Sequence, residues 1–267
     1  MGTFEGHSYV GVPYLILGSW YIVQSLRRLY QCRIRGVKFV SSMGFPADFF
    51  PGRFRNLPID SILKVGVPCG YIITELTYGY TAKPKTESHM NNWQHVTISF
   101  PLILSGVTEL LLHYGVPIMD SWDYAANGCF FLVETMVFYF HLHGRSLLEQ
   151  RLHVLFILAV VAALMTIVIE AKSRRHVMMP LMRGTAIFLK GTWITEIGFV
   201  LYNPFGPSWD ENMHMNLTLA TIHFSWHAIG CMLGAMMRFI SQLSLQALSN
   251  DLTATLKRPP PTDSRKY

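Results

Sequence analysis

Seven stretches of this chain, 9–26, 61–80, 96–116, 124–140, 152–171, 185–202 and 217–240, stay apolar for close to the length that crosses a hydrocarbon core of about 30 Å, roughly 17 to 25 helical residues. In lipid a backbone must satisfy its own N–H and C=O groups, so stretches of this kind fold as helices packed side by side. The expected fold is all-α: a polytopic bundle of seven transmembrane helices over residues 1–240. A cytosolic tail, 241–267, follows it. Leu245, Leu248, Leu252 and Leu256 recur there at helical spacing and predict a short amphipathic helix, after which the Pro-rich KRPPPTDSRKY end is expected to be disordered. Composition agrees with a membrane protein: 51% of residues are hydrophobic and 14% charged, where soluble domains carry about a quarter charged residues.

A net charge of +6 raises nucleic acid as a partner, but the basic residues cluster between apolar stretches rather than along one soluble face, which excludes it. They act as topology signals instead. With the N-terminus outside or lumenal, 17 of the 22 Lys and Arg residues fall on the inner side, four on the outer side, and Lys190 within a helix. The positive-inside rule therefore places the C-terminus in the cytosol. No basic segment precedes the first apolar stretch and no small-residue cleavage site follows it, so it is expected to be a retained helix. The expected partners are membrane lipids. In the first inner loop, basic residues alternate with Phe39, Phe45, Phe49, Phe50 and Phe54, as in a segment resting on anionic headgroups. Cys32, Cys69, Cys129 and Cys231 form no CxxC pair and imply neither a disulfide framework nor a Cys-based zinc site; Cys32, among arginines, is either acylated or a plain thiol.

Candidate functional residues are the polar ones inside the apolar stretches. In CFFLVETMVFYFHLHGR, Glu134 interrupts a wholly apolar run that ends in His141 and His143. Ionisable groups are costly in lipid and face a bundle interior, where they serve function or hydrogen-bond to a neighbouring helix. At a rise of about 1.5 Å per residue, His7, His95, His141 and His143 fall near the outer mouth; Glu75, Glu134, Glu196 and His223 lie deeper, and His227 near the middle. The His223-Phe-Ser-Trp-His227 spacing puts two imidazoles on one helical face, where they can grip one ion. His95, His141, His143, His223, His227 and Glu134 are thus candidate ligands for a metal, zinc being possible; the simpler alternative is hydrogen bonding among helices. Lys190 and Glu109 fall at similar depth toward the inner side and are expected to pair, unless Lys190 snorkels inward.

Several segments together resemble the transmembrane protein 45 family: Trp93 with His95, Phe138-Tyr139 leading to His141-Leu-His143-Gly-Arg145, Gly191-Thr-Trp193, Ile197-Gly-Phe-Val-Leu-Tyr202, and Trp226-His227. The resemblance spans nearly the whole chain. It implies a seven-helix, multi-pass protein of the secretory pathway or plasma membrane without an established activity. His95, His141, His143 and His227 match the family pattern, whereas His223 and Glu196 depart from it. A looser architectural likeness links the chain to intramembrane ceramidase and adiponectin-receptor hydrolases, which hold zinc with an HxxxH in their last helix, but their Ser and His pattern in the second helix is missing here. Three functions follow: a non-catalytic structural or trafficking protein, a zinc-dependent intramembrane hydrolase acting on a lipid, and a receptor or ion pathway.

Overall fold

The computed structural model describes residues 3–48, 50–81 and 87–256. Among them lie seven α-helices: α1 (Phe4–Ile34), α2 (Ile59–Thr81), α3 (Glu87–His113), α4 (Trp122–His141), α5 (Leu147–Lys172), α6 (Met178–Tyr202) and α7 (His214–Leu256). Their ends follow local chemistry. The Thr3 and Ser146 hydroxyls accept from Gly6 N and Glu149 N and cap α1 and α5. α1 and α3 stop at Gly36 and Gly115, whose positive φ lets the chain turn back on its last carbonyls, through Val37 N to Cys32 O and Val116 N to Leu111 O.

Six helices form a ring in which each packs on the next: α1 on α6, then α5, α4, α3 and α2. Closure from α2 back to α1 is the weakest contact around this ring. α7 lies outside, against α5 and α6 with a light touch on α1, and meets none of α2, α3 or α4.

The tightest seam joins antiparallel α1 and α6. Gly184, Gly191 and Gly198 recur every seventh residue along one face of α6, and Gly11 and Gly18 do the same on α1. A Cβ added at Gly18 would stand 2.5 Å from the backbone nitrogen of Phe188, and one at Gly191 2.6 Å from that of Leu15. No side chain fits between these backbones. Where lipid removes the hydrophobic drive between helices, close backbone approach gains dispersion contacts in its place.

Three helices have a segment long and apolar enough to cross a membrane: Asn92–His113 of α3, Leu147–Lys172 of α5 and His214–Leu248 of α7. The remaining helices reach comparable lengths, and the buried charges are shared among both sets: Lys64, Glu134, Arg183 and Lys190 on α2, α4 and α6, Glu109 and Glu170 on α3 and α5. Two expectations are corrected here. The surface helix expected after residue 240 is continuous with α7, while 257–267 lie outside the described residues. The first inner loop does not rest flat on headgroups either. Phe39 and Phe45 are buried, Ser41 N donates to Arg174 O, and Phe45 N donates to Asp60, so the loop folds back into the bundle end; Phe50 and Phe54 do stay exposed, and Phe49 lies outside the described residues. The reason is demand from within: Arg183 and Asp60 are buried and take backbone partners from this loop.

Candidate functional site

The polar interior is layered along the bundle. Midway, Lys190 on α6 donates to Glu134 on α4 at 2.5 Å, and Tyr14 on α1 donates to the other Glu134 oxygen at 3.0 Å. Both charged side chains are essentially inaccessible. The Lys190 ammonium also stands over the faces of Tyr14 at 4.1 Å and Phe131 at 4.4 Å. Aromatic faces carry negative potential, so this cage stabilises a charge that lipid would not.

Toward the end that carries the 35–58 loop, two further pairs tie helices together. Lys64 on α2 meets Glu109 on α3 at 2.5 Å, and Asn127 on α4 and the Ser61 hydroxyl both donate to Glu109. Arg183 on α6 meets Glu170 on α5 at 2.8 Å, and its guanidinium also donates to Ser42 O and Met43 O. The expected Lys190–Glu109 pair is therefore corrected: each residue has a different partner. The matched depth does not hold: Lys190 lies midway along the bundle and Glu109 toward the end that carries the 35–58 loop, so each meets an opposite charge at its own level. Glu134, a candidate metal ligand from sequence, has both oxygens occupied by Lys190 and Tyr14.

At the opposite end four histidines from four helices approach one another. Ring centroids stand 5.4 Å apart for His95 and His141, 6.0 Å for His141 and His153, and 6.3 Å for His7 and His153. His7 Nδ1 donates to Thr3 O and His153 Nδ1 to Glu149 O, because a carbonyl can only accept. Arg145 can only donate, so His141 Nε2 accepts from it and His141 Nδ1 donates to Gln94 Oε1. His95 lies 3.4 Å from Glu75.

The six candidate ligands do not come together. His95 and His141 join this end cluster, while His143, just past the end of α4, is exposed. His223 and His227 sit apart on α7, where His223 Nδ1 is 3.1 Å from Glu196 and His227 Nε2 is 3.9 Å from it. These α7 imidazoles face Glu196 and Trp193 of α6 and are not among the partners of His95 or His141. Among the described residues no group of three or more His, Cys, Asp or Glu side chains is placed to hold a metal ion. The donor set therefore does not fit the zinc site that the HxxxH spacing suggested. His153, Tyr14 and Asn127 belong to the interior without being candidates from sequence, and Lys64 and Arg183, counted among the 17 inner-side basic residues, are buried ion-pair partners. The available signal was the isolated polar residue in an apolar stretch, which His153 and Asn127 both satisfy.

Between α1, α2, α3 and α4 lies a cavity of about 110 Å³. Its wall is mainly aliphatic and aromatic, and it touches His95 toward one end, Glu134 midway and Lys64 toward the other.

Residues 121–240 match the family described as Family of unknown function (DUF716). The chain is similar to mouse (Mus musculus) transmembrane epididymal protein 1A, with 25% identity over 263 residues, 88% of this chain and 80% of that protein. It is also similar to rat (Rattus norvegicus) transmembrane epididymal protein 1, 25% identical over 60% of this chain and 54% of that one. The human (Homo sapiens) protein of that name is 23% identical over 55% of this chain, so the chain spans about half the length of the rat and human proteins. These matches support the kind of membrane protein that the sequence resembled, through transmembrane epididymal proteins; they do not carry the transmembrane protein 45 name.

Proposed function

We propose that this chain is a seven-span, non-catalytic membrane protein of the secretory pathway or plasma membrane, its N-terminus outside or lumenal and its C-terminus cytosolic, with a structural role and with lipids as its immediate partners. The observation that carries this reading is the placement of charge. Glu134, Glu109 and Glu170 are buried and each meets a cation between helices, while the outward faces of α3, α5 and α7 are apolar. Carboxylates so held fasten helices together and are not free to act as base or nucleophile. Relatives named as transmembrane proteins support the membrane placement.

A hydrolase would need an open-coordinate metal, and the histidines divide into two groups instead. The test joins topology to metal content. An epitope at the C-terminus should bind antibody only after permeabilisation, whereas one at the N-terminus of surface-displayed protein should bind without it; purified protein should contain zinc far below one ion per chain. Labelling of the C-terminal epitope on intact cells overturns the topology, and stoichiometric zinc overturns the non-catalytic reading.

A further inference from the structure

Beside the α1–α6 seam, α7 does not close fully on its neighbours. A groove of about 680 Å³ is lined there by α1 across residues 19–23, by Phe188 and Thr192 of α6, and by α7 across residues 226–238. Missing side chains make it. Gly230 and Gly234 stand one turn apart on α7, and a Cβ added to either would meet nothing within 4 Å. Toward the end that carries the 35–58 loop the helices come together: Leu26 of α1 packs with Leu181 and Ala235, and beyond them Arg33 donates to Gln246 at 2.8 Å. Leu233 and Met237 beside the groove are 49% and 66% exposed, so it opens sideways, where lipid lies around a membrane-embedded bundle.

Charge at one end selects an occupant. Among the described lining residues Arg238 alone has a fixed charge; it is exposed, and no hydrogen bond or ion pair holds its guanidinium among the described residues. Lys64, Arg183 and Lys190 each have a carboxylate. A guanidinium at the edge of an apolar helix is costly until an anion meets it, and its planar fork fits two oxygens of a phosphate. From Trp226 to Arg238 the groove follows α7 for about 18 Å, a little more than half of a hydrocarbon core of about 30 Å. A guest with its charge at Arg238 therefore spans one leaflet, and on the inner side that leaflet carries the anionic lipids. A zwitterionic headgroup would bring a cation of its own, for which the described lining has no carboxylate. A second copy fits less well, because copies share one topology and a symmetric contact through this face would set two Arg238 side chains against each other at one depth.

We propose that the groove between α1 and α7 holds one anionic phospholipid of the cytosolic leaflet, its phosphate on Arg238 and one acyl chain lying over Gly234 and Gly230 toward Trp226. This rests on the membrane placement proposed above. Bound so, the lipid covers α6 at Phe188 and Thr192 and gives Arg238 the counter-charge that the buried cations take from glutamates.

The test reconstitutes the full-length protein in phosphatidylcholine bilayers with a small fraction of phosphatidylglycerol carrying a diazirine in one acyl chain. Photolabelling and peptide mapping should concentrate label on residues 19–23 and 226–238, above the outward face of α5 around Leu158, which is 53% exposed. Unlabelled phosphatidylglycerol should compete, and the same diazirine on phosphatidylcholine should label the groove no more than α5. Arg238→Gln removes a charge-assisted contact and should lower groove labelling about tenfold, with Arg238→Lys retaining part of it. Gly230→Leu fills the groove without meeting protein and should abolish labelling there while melting like the parent. Label on α5 without enrichment in the groove overturns the site and leaves the membrane reading intact; label on neither overturns both. Equal labelling by the phosphatidylcholine probe, or undiminished labelling in an Arg238→Gln protein that melts like the parent, overturns the assigned charge. Cross-links between copies through residues 226–238 in place of lipid label give the face to a second copy and overturn the proposal.

Discussion

α6 and α7 are neighbours, and they divide the work of a membrane helix in opposite ways. α6 carries Arg183 and Lys190, yet both are fully buried, as are its three glycines' contacts with α1. α7 is the longer and more uniformly apolar in its candidate span, yet Trp226, Met237 and Ile240 are all exposed. In water this arrangement would be inside out. In lipid it is the low-energy one, because charges need protein partners and apolar side chains do not need protein at all. The difference teaches that what separates the enclosed helix from the peripheral one is not apolarity but where charge and small residues fall: α6 carries both on faces that meet protein, and α7 does not.

The comparison breaks hardest at the buried pair. Lys190→Met leaves the Glu134 carboxylate without its cation and should cost about 3–5 kcal/mol, and a Lys190→Met, Glu134→Leu double variant should recover most of it. Unfolding in detergent, followed by intrinsic fluorescence, measures both. Lys190→Met combined with Glu109→Gln should instead give additive losses, since those residues do not touch; strong coupling between them would contradict the assigned partners.

A smaller effect belongs to the seam. Gly18→Val places its Cβ against the Phe188 backbone, which cannot yield as a side chain can, and should cost about 1–3 kcal/mol or more. Gly234→Val on α7 has no heavy atom within 4 Å of the added Cβ and should leave the melting temperature nearly unchanged apart from helix propensity. Equal losses at the two sites would show that α7 is as tightly packed as α6.

The smallest change is expected where the two helices meet polar to polar. The His223 side chain is 41% exposed and its Glu196 partner 23%. His223→Ala should therefore shift stability by less than about 1 kcal/mol. A loss comparable to that of Lys190→Met would mean that this pair is more deeply enclosed than its exposure indicates.

Much of this was legible without coordinates. The apolar stretches locate the seven helices among the described residues, because a chain that avoids charge for such lengths has few alternatives to helix, whereas the caps at Thr3 and Ser146 came only with the structure. Glu134 was recognisable as a buried group with a purpose, since a lone carboxylate in a run of Phe, Leu and Val has no cheap place in lipid. The HxxxH of α7 misled for a specific reason. Helical spacing establishes which residues share a face but not which neighbour that face meets, and the α7 face carrying His223 and His227 meets Glu196 and Trp193 of α6.

Periodicity and the avoidance of charge are one-dimensional properties, so helices, their order and the existence of a polar interior could be read from the chain alone. Partnership is different. Whether Lys190 meets Glu134 or Glu109, whether Arg183 belongs to a loop or to the core, and whether a groove opens between α1 and α7 all depend on how the helices are placed. Glycines seven residues apart on α1 and α6 let those two backbones touch, which only the folded chain reveals. The buried pairs likewise depend on which side chains meet across the interior, as Lys190 on α6 reaches Glu134 on α4 past α5, because ion pairing is strong only over the few ångströms of direct contact.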